Sequence, residues 1–208
     1  MKFELGLAAL CSATLAAATP VEPSAFTLRA KAPCNLANAL AVSASIGNLW
    51  LNLPEQNATC QHPLDEDIAT FYLRDTSLYL YSTEAAPQIV YTDRSGMGKT
   101  SVTPHPSMFP ALLTHKNVGQ GKVGYLPSGQ GGPRNAEFDG WSLNENNNFN
   151  IRGSEFVACP SSYIEGAWSL WVSVGIGQPG GNENCVKISA HAVDEPKPIS
   201  CRYSQYEA

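Results

Sequence analysis

The chain has 208 residues, of which 13 are basic, 18 acidic and only 15% charged in all, well under the roughly 25% of ordinary soluble proteins. A net charge of −5 argues against a nucleic-acid partner. A hydrophobic share of 43% is too high for a disordered chain. The length fits one domain with appendages, at roughly 150 residues per domain.

The N-terminus comes first. Lys2 precedes an apolar stretch over 5–15, and small residues follow at Ala16, Ala17 and Ala18. A basic start, a short apolar stretch and a small-residue exit predict a secretory signal peptide over 1–18, in spite of Glu4. Residues 19–25, with Pro20 and Pro23, read as an extended leader, and residues 26–203 as one domain. No apolar run of about 18 residues follows the signal, so no membrane partner is expected. The C-terminal residues 201–208 lack the hydrophobic tail of a GPI signal.

Secretion implies an oxidising compartment. Cys11 leaves with the signal, so Cys34, Cys60, Cys159, Cys185 and Cys201 remain. An odd number allows at most two bridges within the chain. Cys159 with Cys185 is the first expected pair, because the two flank a strand over 168–174. Cys34 with Cys60 is the second expectation, with Cys34–Cys201 close behind. No cysteine pair has zinc-knuckle spacing, so no metal site is expected. Asn57-Ala58-Thr59 is an N-glycosylation sequon on a predicted loop.

The predicted elements are strands. Residues 26–30 alternate as a first one. Residues 36–45 are Ala-rich and fit helix or strand. Residues 49–53 form an apolar strand that Pro54 stops. Asp65, Glu66 and Asp67 make a solvated acidic loop. Residues 71–73 and 78–81, around a turn at 74–77, read as a β-hairpin rich in β-formers. Strands are expected over 88–92 and 122–126. A second hairpin, 141–143 with 149–151 around an Asn-rich turn, echoes the first. Strands over 156–159, 168–174 and 186–193 follow. No long 3.6-residue apolar stripe appears. The fold class expected is therefore all-β: one compact domain of short antiparallel strands, as a β-sandwich or a degenerate β-trefoil or barrel.

Little in the sequence carries catalytic chemistry. Residues 95–100 resemble the end of a phosphate loop, but Asp93 stands where that motif needs glycine. His62, His105, His115 and His191 form no ligand pair and read as surface histidines, with His191 pointing away from Ile188. There is no Gly-x-Ser-x-Gly elbow. Glu137, Asp139, Glu145 and Glu155 lie around turns, where solvated acids are expected rather than a glycosidase pair. Trp50, Trp141, Trp168 and Trp171 read mainly as core, with Trp168 and Trp171 on opposite strand faces. No catalytic residue and no cofactor are expected.

In combination, Thr70-Phe-Tyr-Leu73, Ser77-Leu-Tyr-Leu-Tyr81, Asp93-Arg-Ser-Gly-Met-Gly98, Gly121-Lys-Val-Gly-Tyr125, Gly140-Trp-Ser-Leu143, Ala158-Cys-Pro160 and Gly166-Ala-Trp-Ser-Leu-Trp171 resemble the fungal phialide-type (PhiA-like) cell wall protein family. The resemblance runs from about Cys34 to Cys201. Residues 140–159 also look like the C-terminal domain of PIR cell wall mannoproteins. The resemblance implies a secreted, non-enzymatic structural protein of a filamentous fungal cell wall, with a role in phialide and conidium development and with allergen relatives. It implies wall polysaccharide or wall glycoproteins as partners. Two alternatives stand beside it: a lectin-like carbohydrate-binding wall module using exposed aromatics, and a secreted polysaccharide hydrolase with an acid pair. In the family pattern, Gly-Met-Gly runs almost directly into Gln-Gly-Lys-x-Gly-Tyr. Here residues 99–119 intervene, with Pro104, Pro106 and Pro110. They read as a strandless loop insertion over 99–118, which costs little closure entropy, or as a retained intron translated in frame.

Overall fold

Among the described residues, short runs rich in β-branched and aromatic residues, cut by Gly, Pro, Asn or Asp, give strands and almost nothing else. The computed structural model describes residues 24–32, 40–93, 121–173, 175 and 177–205. The expected signal peptide, most of the leader, Cys34, His105, His115, the motif over 95–100 and the insertion over 99–118 lie outside the described residues.

The strands are β1 (Ala25–Lys31), β2 (Leu40–Ser45), β3 (Asn48–Leu51), β4 (Thr59–Cys60), β5 (Thr70–Arg74), β6 (Ser77–Leu80), β7 (Gln88–Asp93), β8 (Val123–Pro127), β9 (Ala136–Glu137), β10 (Trp141–Leu143), β11 (Asn148–Ile151), β12 (Phe156–Pro160), β13 (Trp168–Val172), β14 (Val186–Asp194) and β15 (Cys201–Arg202). Of the Ala-rich segment that fits helix or strand, the described part is β2. One antiparallel sheet runs β10-β11-β14-β12-β13-β3-β2-β1-β5-β6-β7-β8, with β9 on β7. It closes on itself twice. The pairing of β14 with β1 completes a ring through β2, β3, β13 and β12, and that of β3 with β8 completes a second ring through β7, β6, β5, β1 and β2. Of the sandwich and barrel alternatives, the sheet therefore takes the closed form.

Closure explains the burial pattern. β3, shared by both rings, is buried along its whole length. β6, β7 and β11 alternate buried and half-buried side chains, as strands with one wet face do. The main core joins Phe26, Leu28, Leu49, Leu51, Phe71, Leu78, Leu80, Trp141, Phe149, Ile151 and Phe156. The two sequence echoes are not equivalent units. Hairpin β5–β6 sits inside a ring, whereas β10–β11 hangs from β14 and docks through Trp141 N–H on the Thr76 carbonyl at 2.9 Å.

The tail after β15 seals a strained turn. Ile46 and Gly47 link β2 to β3 with φ of 49° and 66°. Such a left-handed pair matches strand twist, but it is unfavourable for a β-branched residue. Ser204 holds it: Ile46 N–H donates to Ser204 Oγ and Gly47 N–H to Ser204 O, both at 3.0 Å. Gln88 grips the neighbouring backbone twice, accepting from Tyr203 N–H and donating to Tyr203 O, each at 2.8 Å.

Tyr203 and Tyr125 meet edge to face, with ring centroids 6.3 Å apart. Burial pushes the Tyr203 phenol up to about 12, against the lowering effect of the Thr70 N–H bond. Burial also raises Tyr125, opposed mainly by a backbone hydrogen bond at Gly47. Both phenols are held neutral in the fold, so their stabilising contribution is complete below pH about 10 and is lost as pH rises through and beyond 12. Stability should fall above pH 10 by up to about 1.4 kcal/mol per pH unit for each phenol. Thermal melts at pH 8 to 11.5 check this, and Tyr125→Phe should flatten the slope.

Candidate functional site

The cysteines set the frame. Cys159 and Cys185 are bridged, with Cα atoms 4.2 Å apart. Cys159 immediately follows the part of β12 that pairs with β14, and Cys185 immediately precedes β14, so the bridge continues the ladder beyond Ala158↔Val186. The expected Cys34–Cys60 pair does not form, nor does Cys34–Cys201. Cys60 is bridged to Cys201, with Cα atoms 4.0 Å apart. The reason is the small sheet of β4 and β15, which sets Cys60 directly opposite Cys201.

Of the four acids around the second hairpin, two are joined through one arginine. Glu137 and Asp139 share one guanidinium: Arg152 Nε lies 3.3 Å from Glu137 Oε2, and Arg152 Nη2 lies 2.9 Å from Asp139 Oδ1. Glu145 sits in the turn between β10 and β11, and Glu155 is exposed before β12. Asp67 serves the backbone, accepting from Gln56 N–H at 3.2 Å. His191 stands on the outer side of β14, across from buried Ile188, as strand parity predicts. Its pKa is lowered by desolvation and by the Lys31 charge. His62 is exposed near Asn57, which itself lies exposed on the loop between β3 and β4.

The tryptophans divide by face. Trp141 is 1% exposed and stacks on Phe149 at 5.4 Å and Phe156 at 6.4 Å. Trp168 packs against the main core, whereas Trp171, of opposite parity, joins Val157 and Cys159 in a separate cluster on the outer side. Trp50 lies on that side too, because β3 sets it opposite Ser169. Two side-chain hydrogen bonds fix these indoles. Trp50 Nε1 donates to Ser45 O at 2.9 Å and Trp171 Nε1 to Ser169 Oγ at 2.8 Å.

Between them runs a shallow groove enclosing about 90 Å³, bordered by β3, β8, β13 and the loop after β12. A turn at Pro179–Gly181 closes one side. Gly180 makes this possible: it has φ of 64°, and a Cβ there would stand 2.5 Å from the Trp171 ring. The Cys159–Cys185 bridge anchors the chain just beyond that turn. Lys122 borders the groove; burial lowers its pKa and the Asp93 charge raises it.

Tyr163 stands on the groove's rim and is 92% exposed. Its loop is nonetheless ordered by local bonds. Ser161 Oγ accepts from Tyr163 N–H at 3.1 Å and Ile164 N–H at 3.0 Å, and Ser161 N–H donates to Ala167 O at 2.8 Å. Sequence reading passed over Tyr163. The available signal was a lone aromatic between Ser162 and the turn residues Glu165 and Gly166.

A family profile described as PhiA-like secreted protein matches residues 26–107 and 105–204. The chain belongs to this family. It is 41% identical over 163 residues to cell wall protein phiA of Aspergillus fumigatus, covering 78% of this chain and 76% of the relative. It is 40% identical over 199 residues to cell wall protein phiA of Emericella nidulans, covering 95% and 96%. It is 34% identical over 209 residues to cell wall protein phiA of Arthroderma benhamiae, covering 95% and 99%. No solved structure gives a significant match. The PhiA family is one of secreted cell wall proteins, and the sequence resemblance is borne out at that level. The two matched stretches of the profile meet inside the segment 99–119, where the family pattern is interrupted.

Proposed function

We propose that this PhiA-family protein is a non-enzymatic structural component of the fungal wall, contributing to wall integrity and to phialide and conidium development. Its partners are wall polysaccharides or wall glycoproteins. The observation that carries the reading is similarity across 95% of the chain to relatives named for the cell wall. The absence of turnover is supported by Arg152, which neutralises the two nearest acids of the second hairpin instead of leaving them to act on a substrate. An N-glycan on Asn57 belongs to the same proposal, since Asn57 lies exposed between β3 and β4.

Stepwise extraction of isolated walls with salt, detergent, reductant and glucanase tests the reading. The protein is expected in a wall fraction, and recovery solely in the culture medium would overturn it. Asp139→Asn, Glu145→Gln and Glu155→Gln should each leave wall association nearly intact, because exposed charges typically contribute under about 1 kcal/mol. Deletion of the gene should reduce conidium yield; an unaltered yield would remove the developmental part alone.

A further inference from the structure

Among the described residues, most aromatic side chains are buried, yet Tyr163 stands almost wholly in solvent on a loop that backbone hydrogen bonds hold in place. An exposed phenol on an ordered loop presents a flat apolar face at little entropic cost on binding. The hydroxyl of Ser161, on the same rim, accepts two backbone N–H bonds, and its proton is given to no group among the described residues. Ser162 and Asn182 add further neutral hydrogen-bonding groups. The floor is formed by Trp50 and Trp171, both locked by their own indole bonds. Among the described residues, no carboxylate borders the groove, and Lys122 is its one charged side chain. Apolar faces interleaved with neutral hydroxyl and amide groups complement a pyranose ring, whose two faces are C–H-rich and whose edges are hydroxyls. They do not complement an acidic or basic peptide.

We propose that the groove between Tyr163, Trp171 and Trp50 is a binding site for a neutral polysaccharide chain of glucose or N-acetylglucosamine units. The inference rests on the wall reading only for the choice of polymer. Tyr163 stacks on one sugar ring, and Ser161 donates to a ring hydroxyl. The Cys159–Cys185 bridge acts as a positioning element, because it anchors the chain beside the turn at Gly180 that backs Trp171.

Isothermal titration of the purified, oxidised protein with soluble β-glucan oligosaccharides and, separately, chitin oligosaccharides tests this. One of the two series should bind, and the responding series identifies the polymer. Tyr163→Ala should weaken that binding about tenfold, with an unchanged melting temperature, since its side chain packs on nothing. Tyr163→Phe should retain most of it. Ser161→Ala should weaken that binding as well, and its melting temperature is recorded beside it because the same hydroxyl holds the loop. No binding of either series by the wild type, or equal binding by Tyr163→Ala, would overturn the proposal. Either failure leaves the wall reading standing, because wall extraction is scored independently of these titrations.

Discussion

Replacing Trp141 by Ala should lower stability by about 3–5 kcal/mol. In a domain of this size that is a fall of roughly 6–20 °C in melting temperature. Trp141 is 1% exposed, and its ring joins Phe149 and Phe156 in a stack that reaches Phe26 through Phe149. Removing the indole leaves a cavity where β10–β11, β12 and β1 meet, and rings locked in a closed sheet relax poorly into it. Trp141→Phe should cost much less. It keeps the stacking and discards a buried Nε1–H that has no acceptor among the described residues, a group expensive to leave unpaired. Thermal denaturation of both variants checks the order. An Ala variant that melts like the wild type would place Trp141 outside the core. It would also revive Trp141 as a sugar platform, which its burial argues against.

The second large effect concerns the disulfides, and it differs between them. The Cys60–Cys201 bridge spans 141 residues of sequence and Cys159–Cys185 spans 26. On chain-entropy grounds the first stabilises by up to about 5 kcal/mol and the second by about 3.5 kcal/mol. The difference has a local consequence. β4 and β15 are two residues each, and the tail that clamps the Ile46–Gly47 turn is held by this bridge, the buried Tyr203 ring and a few hydrogen bonds. The paired variant Cys60→Ala/Cys201→Ala should therefore unfold at markedly lower urea than Cys159→Ala/Cys185→Ala. The latter should keep its fold while losing order around Trp171 and the 179–181 turn. Urea midpoints at matched slope measure this, and a larger loss from the Cys159–Cys185 pair would contradict it.

Local signals made much of this fold readable. The hairpin β5–β6 announces itself through alternating aromatic and aliphatic residues around Asp75, which takes φ of 56°. The hairpin β10–β11 does so through its asparagines, since Asn144 Oδ1 accepts from the N–H groups of Asn146 and Asn148. The ring closures were not readable. They depend on β1 meeting β14 and on β3 meeting β8, pairings far apart in sequence that no local pattern encodes. The pairing of Cys60 failed for the same reason: β4 carries no strand signal of its own and exists because β15 lies against it. Face assignment on β13 was readable from parity, which put Trp168 and Trp171 on opposite sides. What Trp171 faces was not, because the groove is completed by Gly180 and by Tyr163 from separate loops.

The central claim is that this PhiA-family protein holds to the wall without turning it over. Its most direct test is one incubation of the purified, oxidised protein with isolated wall polysaccharide, scored for both co-sedimentation and release of reducing sugar. The account predicts sedimentation with the polymer and no release above the polymer alone. Sustained release of reducing ends, abolished by a single substitution such as Glu155→Gln, would contradict it.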